Sequence, residues 1–193
     1  VQGNLTNYDD FNTLSVANPN TTNDSYRGKD IATGNIVFSA ANGHLYNEKD
    51  LESGDNISLT AAQGLTNFAY NVYAGKDITL TATTGDVVNS ATLESYAGNV
   101  TLRADNGNVI NGVQNDITVG KGDIITYGGN VTLSANGYDT AGNAGSVTNY
   151  GDIIATNTNG VDKLQTGSII LESQHGNVDN FDDFNTYNVD GVY

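Results

Sequence analysis

The sequence has no cysteine, no methionine, a single proline, two histidines and only seven basic residues in 193. Without cysteine there is no disulfide framework and no thiolate metal site, and the chain can exist in an oxidising or a reducing place, so the compartment stays open on this count. No run approaches the roughly 18 to 20 apolar residues of a membrane-spanning helix, and the start lacks the basic-then-apolar pattern of a signal peptide. With no methionine even at position one, the chain reads as a fragment whose export signals and anchors would lie outside it. Seven basic against 22 acidic residues give a formal charge of -15. That charge repels a nucleic-acid backbone and an anionic bilayer face, so neither a nucleic-acid partner nor membrane insertion by this segment is expected.

Hydrophobic residues make up only 37% of the chain, which predicts a thin core, and 23 glycines punctuate it. Valine, isoleucine and leucine come in short runs between glycine and asparagine, the composition of many short strands and tight turns. No segment has the periodicity of an amphipathic helix.

One pattern recurs along most of the chain: Gly-Asn/Asp-Val/Ile-x-Leu-x-Ala, a short turn, then Gly-x-Val/Leu-x-Asn. The first half is found at residues 34–40 (GNIVFSA), 55–61 (DNISLTA), 76–82 (KDITLTA), 98–104 (GNVTLRA), 129–135 (GNVTLSA) and 167–173 (GSIILES). The second half ends at Asn47, Asn67, Asn89, Asn111, Asn149 and Asn180, and a further copy, GNLTN, ends at Asn7. Within each first half the apolar residues alternate, as Ile78, Leu80 and Ala82 do against Thr79 and Thr81, which is the period of a strand with one buried face. The leading aliphatics at 36, 57, 78 and 100 are 21, 21 and 22 residues apart, and later coils are stretched. A third, weaker apolar element carries Leu51, Val72, Leu93, Ile124 and Ile153.

Three short strands per coil of about 21 to 22 residues predict an all-β fold, a parallel β-helix or solenoid with a few longer loops, spanning residues 1–193 as a single segment. Each strand would pair with its equivalent one coil away at about 4.8 Å. Ile36, Ile57, Ile78, Val100, Val131 and Ile169 would then form one interior ladder, and Phe38, Leu59, Leu80, Leu102, Leu133 and Leu171 the next. Alanines 40, 61, 82, 104 and 135 would sit where the chain bends, a column that Ser173 mildly breaks. A single coil buries too little to fold alone, so stability must come from stacking.

A longer repeat is superposed on the short one. Residues 3–13 (GNLTNYDDFNT) and 176–186 (GNVDNFDDFNT) agree at eight of eleven positions, at an offset of 173. The chain therefore reads as about one period of a larger tandem array. Departures from the rule fall at residues 12–29, 112–128 and 150–166 and in the swollen turn NGYDTAGNA at 136–144; excursions of this kind carry binding in solenoids, or are neutral insertions.

The tandem G-N-V-T-L-x-A and G-x-V-x-N units resemble the haemagglutinin-type repeats of filamentous haemagglutinin and related two-partner-secreted bacterial exoproteins, over nearly the whole chain. The resemblance implies a right-handed β-helix, a secreted or cell-surface location, export through an outer-membrane secretion partner, and either adhesion or delivery of a C-terminal toxin. The function expected is an adhesive shaft that presents loops to host or bacterial surface glycans or proteins. The alternatives are a polysaccharide-degrading β-helix enzyme and the stalk of a contact-dependent toxin.

For the enzyme, clustered carboxylates with a basic partner would be needed. Asp9 and Asp10 recur as Asp182 and Asp183, while Arg103 and Glu172 interrupt the outer face of the first strand in different coils. A pair that repeats with the array fits a solubilising role better than a catalytic one, so no catalytic residue is assigned and no enzyme is expected. Asp179, Asp182, Asp183 and Asp190 offer hard oxygen ligands suited to calcium, but the nonapeptide pattern of calcium β-rolls is absent and solvated charge is the simpler reading. His44 and His175 stand alone, so no metal or cofactor is assigned. Thr79 with Thr81 and Ser58 with Thr60 could align as a hydroxyl ladder of the ice-binding kind, which Arg103 and Glu172 break. Asn-x-Ser/Thr triplets at Asn4, Asn20, Asn23, Asn56, Asn99 and Asn130 are what an Asn- and Thr-rich composition yields. Eleven tyrosines against five phenylalanines point to a binding surface, with Tyr70, Tyr73, Tyr96 and Tyr138 the residues to inspect, some of them being core or stacking residues instead.

Overall fold

A computed structural model describes residues 3–8, 11–12, 34–69, 71–113, 122–156 and 167–185. Every regular element among them is a β-strand. The strands form three parallel sheets, each visited once per coil. The first sheet holds β3 (Ile36–Ala40), β6 (Ile57–Ala61), β9 (Ile78–Ala82), β12 (Val100–Ala104), β15 (Val131–Ala135) and β18 (Ile169–Ser173). The second holds β1 (Leu5–Asn7), β4 (Leu45–Asn47), β7 (Leu65–Asn67), β10 (Val87–Asn89), β13 (Val109–Asn111), β16 (Val147–Asn149) and β19 (Val178–Asn180). The third holds β2 (Phe11–Asn12), β5 (Leu51–Ser53), β8 (Asn71–Ala74), β11 (Thr92–Ser95), β14 (Ile124–Thr126), β17 (Ile153–Ala155) and β20 (Phe184–Asn185). Each strand pairs with its equivalents in the coils before and after, so the chain is a parallel β-helix of three strands per coil.

The interior ladders fall in the register that the alternation predicts. Ile36, Ile57, Ile78, Val100, Val131 and Ile169 pair in sequence, as do Phe38, Leu59, Leu80, Leu102, Leu133 and Leu171. Ser173 continues the column of alanines 40, 61, 82, 104 and 135. In the third sheet Leu51, Val72, Leu93, Ile124 and Ile153 form one column. The leucines of the middle coils are fully buried, each contributing roughly 1.5–3 kcal/mol of transfer free energy. Parallel sheets usually have both faces covered; in the first sheet threonine, serine and other polar side chains mostly occupy the outer face.

The asparagine that ends every second-sheet strand points inward. Asn47, Asn67, Asn89, Asn111 and Asn149 are completely buried, where an unsatisfied amide would cost about 1–3 kcal/mol. They satisfy one another. Each side-chain NH2 donates to the amide oxygen one coil on, from Asn7 through Asn47, Asn67, Asn89, Asn111 and Asn149 to Asn180, at 2.7–2.8 Å. Four of these amides also donate to a backbone carbonyl two residues on: Asn47 to Lys49, Asn89 to Ala91, Asn149 to Gly151 and Asn180 to Asp182. That second bond turns the chain from the second sheet toward the third. Sequence steps along the ladder are 40, 20, 22, 22, 38 and 31 residues, so the ladder continues unbroken through coils of very different length.

Similar but exposed polar columns flank the strand starts. The Asn/Asp before each first-sheet strand accepts a backbone N–H from the next coil: Asn35 from Asn56, Asn56 from Asp77, Asp77 from Asn99, Asn99 from Asn130, Asn130 from Ser168. At the corner from third to first sheet, Ser53, Ser95 and Thr126 donate to the carbonyls of Gly34, Lys76 and Gly98 at 2.5–2.6 Å. The repeated glycines reflect close approach of neighbouring coils. A Cβ on Gly129 would run into the carbonyl oxygen of Gly98, and one on Gly145 into that of Gly107.

Asn89→Ala is expected to lower unfolding free energy by at least about 2 kcal/mol, because it leaves the Asn67 amide and the Asn111 carbonyl buried without partners. Asn99→Ala, in the exposed column, should cost about 1 kcal/mol or less. Urea titration of the two variants checks the ranking, and equal midpoints would remove the buried ladder from its organising role.

Candidate functional site

The most individual surface lies on the last two coils, around the outer face of β16 and β19. The swollen turn at residues 136–144 is a closed hairpin. Tyr138 and Ala144 form an antiparallel bridge, and the Asp139 carboxylate accepts from the backbone N–H groups of Ala141 and Asn143 and from the Asn143 amide at 2.7–2.9 Å. The Asn143 side-chain and backbone bonds lead in holding the Asp139 pKa below its ordinary 3.8, so the loop keeps its anionic closure throughout the neutral range. Gly142, at φ 83°, supplies the left-handed residue that the turn requires. The hairpin holds Tyr138, half exposed, against the ring of His175 from the next coil, at 4.6 Å between centroids and 21° between planes.

At the other end of the same two strands, Tyr150 and Phe181 stack at 5.0 Å and 10°. They directly follow the ladder asparagines Asn149 and Asn180, and Tyr8 and Phe68 occupy the same place after Asn7 and Asn67. Buried amides thus fix a column of corner positions that aromatic side chains fill in four coils, with Tyr8 68%, Phe68 48% and Phe181 62% exposed. Between the two aromatic platforms lie Thr148 and the exposed carboxylate of Asp179, paired across β16 and β19. His175 and Phe181 are six residues apart, so the platforms lie within roughly 20 Å along the chain. Flat apolar ring faces beside a hydroxyl and a carboxylate suit a ligand with apolar faces and polar edges, such as a sugar ring.

The other sequence candidates sort as follows. Asp182 and Asp183 come together with Asp152, their carboxylate oxygens within 4.8 Å of one another, and this trio is the described group able to hold a cation. Asp179 is not part of it, and Asp190, Asp9 and Asp10 lie outside the described residues. Arg103 pairs with Asp105 in its own coil at 2.5 Å, and Glu172 stands opposite Ser134 on the outer face of the first sheet. His44 is structural: its Nδ1 accepts from the Gly64 N–H at 3.1 Å. Of the tyrosines, Tyr138 is exposed, Tyr96 lies partly exposed against Tyr127 at 6.5 Å, and Tyr70 lies outside the described residues. Tyr73 is one of the core residues of that set, since it is 2% exposed and cannot serve as a binding surface. Asn4, Asn56, Asn99 and Asn130 use their side-chain oxygens to join coils; Asn20 and Asn23 are outside the described residues. Ser58, Thr79, Thr101 and Thr132 do align as a hydroxyl column.

Tyr150, Phe181 and His175 were not singled out from the sequence as partners. The signal was present: an aromatic residue follows the terminal asparagine in four of the repeats.

The third-sheet corner carries a different electrostatic feature. Asp123, Asp152 and Asp183 precede successive strands β14, β17 and β20, and the Asp152 N–H donates to Asp123 Oδ1 at 3.1 Å. Burial, then the neighbouring Asp182 and Asp123 carboxylates, raise the Asp152 pKa above its ordinary 3.8. Comparison of the chain with protein-family models, with curated proteins and with solved structures gives no match in any of the three.

Because the Asp152 pKa is raised on folding, the native state binds the extra proton more tightly. The stability this contributes is complete below the ordinary aspartate value and is lost as pH rises through the raised one. Protection factors of the β17 and β20 amides, corrected for the intrinsic pH dependence of exchange, should therefore be higher at acidic pH near the ordinary aspartate value than at neutral pH, and Asp152→Asn should raise them at neutral pH and flatten the dependence. An unchanged profile in Asp152→Asn would assign the effect elsewhere.

Proposed function

We propose that this chain is a rigid segment of the shaft of a large bacterial adhesin, secreted or exposed at the cell surface, which sets a distance and presents side-chain platforms for attachment. The observation that carries this reading is the pair of aromatic platforms, Tyr138 with His175 and Tyr150 with Phe181, set on a surface otherwise built from repeating columns. Attachment to host or bacterial surface glycans suits them best, because ring faces stack on the apolar faces of sugars while Asp179 and Thr148 offer hydrogen bonds to hydroxyls. The likeness of the repeats to filamentous haemagglutinin supports the same reading, and with it export through an outer-membrane partner. The carboxylates at Asp182 and Asp183 recur in sequence with the array at Asp9 and Asp10, which favours a shaft over a polysaccharide-cleaving enzyme whose acid and base are set once.

The test is binding of the purified chain to an array of host and bacterial surface glycans. Tyr138→Ala combined with Phe181→Ala is expected to weaken binding about tenfold or more, as each aromatic stack contributes roughly 0.5–1.5 kcal/mol. Cleavage of any arrayed polysaccharide, with product release, would replace the shaft by the enzyme.

A further inference from the structure

Seven asparagines form the buried ladder, and among them Asn111 alone is followed by glycine. The others are followed by tyrosine, phenylalanine, glutamate or serine. Geometry dictates the exception. Gly112 has φ 81°, in the left-handed region that a Cβ disfavours, and the backbone is so crowded there that a Cβ on Gly122 would stand 2.3 Å from the Gly112 nitrogen. The coil therefore requires an Asn-Gly pair inside the ladder. That pair is chemically labile, because a glycine without a Cβ leaves its backbone nitrogen an unobstructed approach to the preceding side-chain amide carbon.

In the folded chain every group that would react is occupied. Asn111 is completely buried, and Gly112 is buried beside it. The Asn111 NH2 donates to Asn149 Oδ1 at 2.7 Å and to the Gly122 carbonyl at 2.5 Å, while its Oδ1 accepts from Asn89 Nδ2 at 2.8 Å. The Gly112 N–H, the attacking group, donates to the Asn89 carbonyl at 2.7 Å. Leaving group and nucleophile are thus both held, and both are withdrawn from water.

We propose that Asn111 is a site of spontaneous modification in the unfolded chain, and that folding closes it. Unfolded, the Gly112 nitrogen attacks Asn111 Cγ: the N–Cγ bond forms, the Cγ–Nδ2 bond breaks, and ammonia leaves with the proton from Gly112. Water then opens the cyclic imide at one of its two carbonyls, giving aspartate or isoaspartate. No oxidation or reduction occurs, and water is the sole co-reactant. Either product breaks the ladder at that rung. A carboxylate has no hydrogen to give Asn149 or Gly122, sets oxygen against oxygen at both, and brings a charge into a buried amide column. Isoaspartate also lengthens the backbone by one carbon at the end of β13. A chain that folds promptly seals Asn111, whereas a chain kept unfolded loses the means to complete its own column. The inference is independent of what the surface binds.

Peptide mapping by mass spectrometry of the full chain, held at mildly alkaline pH with and without denaturing urea, tests this site by site. Asn42–Gly43 has the same chemistry and no part in the ladder, so it is the reference. In urea Asn111 and Asn42 should convert at similar rates, and an Asn111 that stays intact there overturns the proposal. Without urea the conversion of Asn111 should slow by more than about a hundredfold, because it waits for a rare open state. A smaller slowing overturns the proposal. Diluting the urea-aged chain and separating refolded from unfolded material reads the consequence. Converted Asn111 should be depleted at least about tenfold from the refolded fraction, and equal shares in the two fractions overturn the proposal. Asn111→Asp carries the aspartate product alone. It should unfold at lower urea than the parent or fail to fold, and the parent midpoint in that variant is likewise decisive against the proposal.

Discussion

The buried amide ladder is the constraint from which the rest of this structure follows. An asparagine placed inside a thin apolar core is tolerated only if its donors and acceptor are matched, and here the partners are the same residue in the coils above and below. The column therefore fixes the register between coils more sharply than aliphatic packing can, since valine, leucine and isoleucine would accept a slip that an amide would not. It also fixes where the chain turns, through the bond from the side chain to the carbonyl two residues on in Asn47, Asn89, Asn149 and Asn180. Variation elsewhere becomes cheap, and coils differing nearly twofold in length stack on the same ladder.

That separation between an invariant interior and a permissive exterior explains where individuality appears. The hairpin at residues 136–144 leaves the solenoid between β15 and β16 without disturbing the pairing of either strand. The residue after each ladder asparagine is positioned by the turn but not used by it, so tyrosine and phenylalanine can stand there as outward platforms. A negatively charged exterior is the other consequence. Asparagine does the inter-coil bonding in most columns, but Asp123, Asp152 and Asp183 stack at the third-sheet corner, where charge is tolerated only with a shift in proton affinity at Asp152.

Most of the architecture was legible in the sequence because period-two alternation and constant turn glycines map directly onto ladders. Ile36 through Ile169 and Phe38 through Leu171 pair as read. The asparagine that closes each repeat was visible as a pattern, but its inward orientation was not, since a polar residue at a strand end is ordinarily at the surface. The surface patch was less legible. Tyr138 stacks on His175 across a coil step of 37 residues, a juxtaposition that arises only once the hairpin between β15 and β16 folds back on itself. Tyr73 occupies an outward position in β8, yet it is buried, which alternation alone could not foresee. Asp152 meets Asp183 for the same reason as the interior columns, through equivalence of position in successive coils, and Asp182 joins them as the chain neighbour of Asp183.

The uneven coil lengths have a mechanical meaning. Hydrogen bonds between coils run along the axis, so tension on the ends loads one coil interface at a time, and the solenoid would yield by shedding single coils. The ladder step of 20 residues would release about 70 Å of extended chain, and the step of 38 about 130 Å, each in place of one 4.8 Å layer. A rod of this construction is stiff under small loads and lengthens in unequal jumps under large ones, with the stroke of each jump set by the insertion its coil carries.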